Sequence, residues 1–466
     1  MTSWDRRTSK QLTKERDAAV RAQVVDAVAP FSPFWRERFT ALGRTASQIG
    51  SLSGLRQLPA AGERDVCPDG DPAGAASLVL QAKESGYVLH ADGPSLRKAL
   101  SRRLTAPGSY RALVEADTRP TSYVYAGQAL RFPVASTRSD LDVVARAGAR
   151  LWQVLGLTST DVVVSALPTA PTALVQGLTL AALADGSPLF APGGDSDDVV
   201  GALRLVAATV LVVPAVGGAD LLARLAEARA ALSSVTTVLV AGAPHSHERA
   251  ALADAVAAQI RGRAVVLAVH VPDGHRLLWG ECRESAGRTG LHTYPDLEVV
   301  ETVDPETGED SGQRGPYEVV LTQLGLRGTV LLRWRTGDLA DGIDEGACPS
   351  CGRTVPRVTG LRGGALVPEL LLRTGTRSVD LRAVASALSG RPDVTDWRVV
   401  LGRSVRDGAD ELLVHVLPPT QAAPEDVAVA VARDLRLAAG LLPSQVIVSD
   451  DGWLPNGTGL STRLLT

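Results

Sequence analysis

The residue this chain most conspicuously lacks is lysine. Only Lys10, Lys14, Lys83 and Lys98 occur, and none of the 368 residues after Lys98 is lysine, although arginine runs throughout. Arginine supplies charge but not the compact, mobile ammonium that lysine brings to a phosphate site. Methionine occurs once and phenylalanine five times, while Ala, Val, Leu, Arg and Gly dominate. That bias is the mark of a GC-rich genome, so drift from Lys to Arg carries little information by itself. Four cysteines in 466 residues exclude a disulfide scaffold. A net charge of −3 removes any electrostatic case for nucleic acid. The first residues, MTSWDRRTSKQLTKERDAAV, are charged and lack the apolar core of a secretory signal. Val162–Ala184 carries no charge, but Pro168, Thr169, Pro171, Thr172 and Gln176 interrupt it, which favours a buried strand, turn and helix over a membrane span. The expectation is a soluble cytoplasmic protein that binds neither nucleic acid nor membrane.

What is present reads as α/β. The chain is long enough for one large and one small domain, each with its own core. Thr8–Ala29 has helical spacing and is followed by the Pro-bounded FSPFWRERF. From about Asp140 apolar strands alternate with helices: Asp140–Leu155 helix, DVVVSALP strand, Thr172–Leu183 helix, SPLFAPGG strand, Asp197–Ala208 helix, TVLVVPA strand. Gly218–Leu232, TTVLVAGAP, His247–Ile260 and AVVLAV continue the alternation. Continuous Val/Leu runs at this interval predict a parallel sheet covered on both faces. After Leu297 the texture turns antiparallel through LEVVETVD, YEVVLTQL and TVLLRWRTGDL. Gly360–Gly364 reads as a hinge. Beyond it, Val379–Leu388, Trp397–Leu401, Glu411–Val416, Pro424–Ala438 and Gln445–Val448 predict a small α+β lobe. The expected domains are 1–360 and 361–466.

Cys348-Pro-Ser-Cys351 is a C-x2-C pair, the usual half of a structural zinc site, because one turn lets both thiolates face one ion. Cys282 and His292 flank the Gly-containing loop ECRESAGRTGLH and would complete a closed Cys3His tetrahedron within residues 282–352. His270 or His275 could stand in for His292. The alternatives for CPSC are a redox pair or two unconnected thiols, but no thioredoxin-like strand and helix surround it. Cys67, beside CPDGDP, stands apart from this group.

The run LLRWRTGDLADGIDEGACPSCGRTVPRVTG resembles the phenylacetate-CoA ligase family of adenylate-forming enzymes. SPFWRERF, SLSGLRQLPAAGERDVCP, TRSDLDVVARAGARLWQVLGLTSTDVVV and ECRESAGRTGLHTYPD resemble further family segments in the same order. The resemblance implies a large α/β domain with a β-rich extension and a mobile C-terminal lobe. It implies zinc on Cys282, His292, Cys348 and Cys351, matching the spacing argument. It makes Asp338 of RWRTGDL the acceptor for the ribose hydroxyls of ATP, where two carboxylate oxygens suit a diol. A plain turn residue is the other reading of Asp338. A tunnel for coenzyme A or phosphopantetheine and a homodimer are further implications.

Four departures fall on the ATP machinery. In place of the family's Ser/Thr/Gly-rich phosphate loop, whose backbone N–H groups wrap phosphate, stands SYVYAGQALRFP, with one glycine and no lysine. In place of the aromatic-Gly-x-Thr-Glu motif stands AVHVPDG, with Pro272 near the glutamate position and Asp273 the nearest acid. The hinge Gly-Arg-x-Asp-Asp reads Gly360-Leu361-Arg362-Gly363-Gly364, so Arg362 serves only by a one-residue shift. The C-terminal Gly-Lys reads Gly459-Leu460, with Arg463 the nearby cation. Adenylyl transfer depends on such positioned donors and cations, and removing one costs roughly 10²–10³ in rate. The expectation is therefore a homologue that does not adenylate efficiently. It would act on an acyl or aryl thioester of coenzyme A or a carrier protein, or serve as a pseudo-ligase beside a pathway enzyme. A divergent ATP- and Mg-dependent ligase with a rebuilt site is the alternative. No catalytic base is identifiable from sequence, and His270 and His275 lie near the altered motif.

Overall fold

In the computed structural model the described residues are 4–67, 71–81, 118–126, 132–215, 217–242, 246–260, 264–285, 289–304, 307–309 and 317–361. To these add 93, 97, 101, 104, 371–374, 377–380, 384, 387–388, 391, 393–403, 410–418, 423–439, 443–449 and 459–462. The chain divides into two compact units, Met1–Pro244 with Glu248–Ala365, and Leu366–Thr466 with His245–His247.

The first unit opens with α1 (Ser9–Arg21), capped by Thr8 and Gln11 and running on through a π-helical turn over Ala22–Val28. After α2 (Pro33–Ala41) come the hairpin strands β1 (Pro120–Ala126) and β2 (Phe132–Thr137). Thr137 then caps α3 (Arg138–Leu155) reciprocally with Asp140, and Gly156, in the left-handed region, stops it. The sheet begins with β3 (Val163–Ser165) and continues through α4 (Ala173–Asp185), β4 (Leu189–Phe190), α5 (Ser196–Leu205) and β5 (Val210–Pro214). It is extended by α6 (Gly218–Glu227), β6 (Thr237–Ala241), α7 (Ser246–Gln259) and β7 (Val265–His270). From β8 (Trp279–Glu281) through β9 (Leu291–His292) the pairing turns antiparallel. Strands β10 (Glu298–Val303), β11 (Tyr317–Gln323) and β12 (Trp334–Ala340) form a separate antiparallel sheet. Strands β13 (Gly342–Asp344) and β14 (Arg357–Thr359) return to the main sheet, whose order is β13-β14-β9-β8-β7-β6-β5-β3-β4.

The period of two sorts the parallel strands onto two cores. Val164, Leu211, Val213, Val238 and Val240 pack with α5, α6 and α7, while Val163, Val210, Val212, Leu239 and Leu267 pack with α3 and α4. Each such side chain contributes about 1.5–3 kcal/mol on burial. The helices α3 and α4 touch so closely that a Cβ on Gly148 would lie 2.6 Å from the Ala181 Cα. The strand order reverses beside β3, so β3 and β5 flank the switch point of a doubly wound sheet.

One boundary differs from expectation. TVLLRWRTGDL does not form one strand: Arg333, at φ 42°, breaks it, so β12 starts at Trp334. The preceding residues pair elsewhere, Val330 N–H donating to the Leu78 carbonyl and Leu80 N–H to that of Gly328. The second unit holds β15 (Leu371–Thr374) and β16 (Arg377–Asp380), then β17 (Asp396–Arg403), β18 (Asp410–Leu417), α8 (Pro424–Ala439), β19 (Gln445–Val448) and β20 (Gly459–Thr462). Its four-stranded sheet has order β19-β18-β17-β20, and Trp397, Val399, Val414 and Val416 bury against Val427, Val431 and Leu435 of α8. Among the described residues no helix is long and apolar enough to cross a membrane.

Candidate metal centre and the buried histidine pairs

Three neighbouring strands bring the Cys/His group together. Cys282 follows β8, His292 ends β9 opposite Gly280 and Arg357, and Cys348 and Cys351 lie in the connection from β13 to β14. The knuckle closes on itself: Cys348 N–H donates to the Arg353 carbonyl and Gly352 N–H to that of Cys348, with Gly352 at φ 67°. The four ligand atoms lie within 4.8 Å of one another and could hold a metal ion. The Sγ atoms of Cys282 and Cys348 are 3.9 Å apart, and Cys351 Sγ is 3.6 Å from His292 Nε2. Around a tetrahedral ion with bonds of about 2.3 Å to sulfur and about 2.0 Å to nitrogen, those edges come to roughly 3.8 and 3.5 Å. These two edges therefore match such an ion. His270 and His275 are not part of the cluster, and Cys67 packs in the N-terminal core beside Val66 and Ala75.

The electrostatics favour neutral His292, the form that ligates metal. Burial, then the nearby Arg353 and Arg357 guanidinium groups, push it down to about 3. Burial pushes the Cys282 thiol up to about 11. Burial also opposes ionisation of Cys348, but the amides of Cys351 and Ser350 and the Thr289 hydroxyl outweigh it and bring that thiol to about 7. A thiol in that environment gives up its proton readily and presents a thiolate to an incoming cation.

The segment Trp4–Arg7 lies across this knuckle. Arg6 donates to the Cys351 and Gly352 carbonyls at 3.0 and 3.1 Å, and Asp5 pairs with Arg353 at 2.9 Å. Thr354 N–H donates to the Asp5 carbonyl and the Thr354 hydroxyl to that of Arg7. Trp4 packs beside the cysteines, 5.6 Å from the Tyr294 ring, with the Arg150 guanidinium 4.9 Å above it. Nothing in the sequence marks Trp4–Arg7 as part of this site.

Two histidine–carboxylate pairs flank Trp279, whose ring centroid lies 6.4 Å from that of His270 and 6.3 Å from that of His275. His270, at the carboxyl end of β7, meets Asp338 of β12, with Nε2 2.8 Å from Oδ2. His270 is 2% exposed and Asp338 has no exposed surface. Asp338 Oδ1 is buried without a hydrogen-bond partner among the described residues. The other pair is His275 with Glu298, Nε2 to Oε2 at 2.6 Å. Here Gln323 meets Nδ1 at 3.3 Å, and Trp279 Nε1 and Tyr294 N–H donate to Glu298 Oε1.

Beside them Arg276 is fully enclosed. It donates to Asp140 Oδ2 at 3.0 Å, to the Ala135 carbonyl at 2.7 Å and to Gln323 Oε1 at 3.0 Å. Asp140 also accepts from the N–H groups of Thr137, Arg327 and Gly328. Burial pulls the Arg276 guanidinium below its usual value, opposed by Asp140. Asp273 is buried in the same stretch. Around the expected phosphate loop, β1 and β2 pair up to Ala126 opposite Phe132, and residues 127–131 lie outside the described residues. Arg362, Gly363, Gly364 and Arg463 lie outside them as well. Gly459 and Leu460 begin β20 and pair with Arg398 and Val399 of β17.

The architecture is that of solved adenylate-forming ligase structures. Over 99% of its length the chain superposes on crystal structures of 2-hydroxyisobutyryl-CoA ligase in the postadenylation state, covering 91% of those chains. The complex with R3-HIB-AMP gives a TM-score of 0.63 at 16% identity, and that with 2-HIB-AMP 0.65 at 17%. In sequence the chain is similar to phenylacetate-coenzyme A ligase of Thermus thermophilus, 32% identical over 139 residues. That stretch is 30% of this chain and spans 30% of the length of the relative. No sequence-family profile matches the chain.

Proposed function

We propose that this protein handles an acyl or aryl thioester, on coenzyme A or a carrier protein, without forming an acyl-adenylate. It either passes the acyl group between thiols or stands as a pseudo-ligase beside a biosynthetic enzyme. The observation that carries this reading is the state of Asp338. A vicinal diol needs both carboxylate oxygens presented to it, but Asp338 has no exposed surface and its Oδ2 is taken by His270. The four altered ATP motifs support the same reading, since phosphate chemistry without positioned cations and backbone donors is slow. The solved relatives bind acyl-AMP, and one of them is described with coenzyme A in the thioesterification state. For this chain we retain the thiol side of that fold and not the nucleotide side.

Zinc is the ion proposed for Cys282, His292, Cys348 and Cys351, on the sulfur-rich donor set and the tetrahedral edges. Four protein ligands leave no position for substrate, so the ion would be structural, fastening the turn after β8 and the β13–β14 connection to β9.

Calorimetric titration of the purified protein with Mg-ATP tests the proposal. No heat and no thermal shift at millimolar nucleotide is the expected result. Micromolar binding would overturn it in favour of an ATP-dependent ligase with a rebuilt site, and pyrophosphate release over a set of aryl acids would then identify the acid.

A further inference from the structure

The two histidine–carboxylate pairs beside Trp279 differ in one respect that matters chemically. In the His275–Glu298 pair every ring nitrogen is engaged: Nε2 meets Glu298 and Nδ1 meets Gln323. That pair is saturated and needs no ligand. In the His270–Asp338 pair Nε2 is held at 2.8 Å, nothing among the described residues hydrogen-bonds Nδ1, and Asp338 Oδ1 is a buried acceptor without a donor. With Nε2 committed to Asp338, Nδ1 is the ring nitrogen of His270 left for a partner. The place is also distinctive. His270 ends a parallel strand of a doubly wound sheet, and ligands of such sheets bind beyond the carboxyl ends of the strands.

We infer that His270 is a proton-transfer residue for thioester exchange and that Asp338 is its positioning residue. The inference rests on the thioester reading above. A carboxylate on one ring nitrogen fixes the tautomer, so the other nitrogen carries the lone pair, and it stabilises the imidazolium once formed. The step balances without a co-reactant. The attacking thiol gives its proton to His270 Nδ1 as its sulfur bonds to the thioester carbonyl carbon. The tetrahedral intermediate then collapses, the original C–S bond breaks, and the imidazolium returns the proton to the departing thiolate. A pantetheine thiol, slender and at the end of a long arm, is the class of nucleophile suited to a histidine with only 2% of its surface exposed.

The test follows acyl exchange between acyl-coenzyme A probes (benzoyl, phenylacetyl and isobutyryl) and free pantetheine, without ATP, using the full metal-loaded chain. The wild type should exchange, and His270→Ala should lose about 10²-fold or more, the scale of general acid–base catalysis, with partial rescue by added imidazole. His270→Gln is the decisive companion, because glutamine can still hydrogen-bond Asp338 and fill the site but cannot carry a proton. Its loss of exchange with an unchanged melting temperature supports the assignment, and it serves equally if the alanine variant does not fold. Exchange retained in His270→Gln overturns the proton-transfer role while leaving the thioester reading standing. No exchange by the wild type with any probe overturns both the role of His270 and the passage of acyl groups between thiols.

Discussion

Replacing Cys348 by serine isolates what the metal centre contributes. Cys348 lies 66 residues from Cys282, and the two sulfurs are 3.9 Å apart across the proposed ion. Cross-linking a loop of that length removes unfolded-chain entropy worth about 4 kcal/mol in the loop-closure treatment. With roughly 2 cal/mol/K of unfolding entropy per residue, 4 kcal/mol lowers the melting temperature of a unit this size by about 5 °C. The assay is metal content by atomic absorption together with a melting curve for wild type and Cys348→Ser. Wild-type protein with one zinc per chain, and a variant without it that melts about 5 °C lower, is the expected pair of results. Full stoichiometry in the variant, or equal melting temperatures, would refute the closed four-ligand site. A strong chelator should lower the wild-type curve to that of the variant, because binding energy of a structural ion is folding energy.

Arg276→Met should cost about 3–5 kcal/mol, since it strands the enclosed Asp140 charge; chemical denaturation measures it, and a change below 1 kcal/mol would show that the backbone donors of Asp140 suffice. Arg6→Ala should weaken zinc binding about tenfold by releasing the Cys351 carbonyl, read by competition with a chromogenic chelator. Gly148→Val should destabilise the α3–α4 contact by about 1–3 kcal/mol, because the Ala181 backbone lies where the Cβ must go; an unchanged melting curve would argue against that close approach.

The strands and helices of the main sheet were legible because each is a continuous Val/Leu run or a 3.6-period stripe, and local pattern decides such elements. The Cys/His cluster was legible through CPSC, whose close spacing keeps two thiols together, and through a Cys and a His bounding one glycine-containing loop. TVLLRWRTGDL was misread as a single strand because a positive φ at Arg333 has no sequence signature. The His270–Asp338 pair was not legible at all. Its members are 68 residues apart on strands of two different sheets, and only tertiary packing joins them. Arg276 looks like any other arginine in an arginine-rich chain, and the sequence gives no hint that it is enclosed.

The hold of Trp4–Arg7 on the Cys348–Thr354 knuckle has a consequence in time as well as in space. Asp5 and Arg353 are 348 positions apart, so this ion pair closes only after Arg353 has been synthesised. At roughly 5–20 residues per second that interval is about 20–70 s. Within it, Trp4 can meet its nearer partners, Gln153 and Arg150. Synthesis of the knuckle then supplies the carbonyls that Arg6 holds and the guanidinium that Asp5 pairs with.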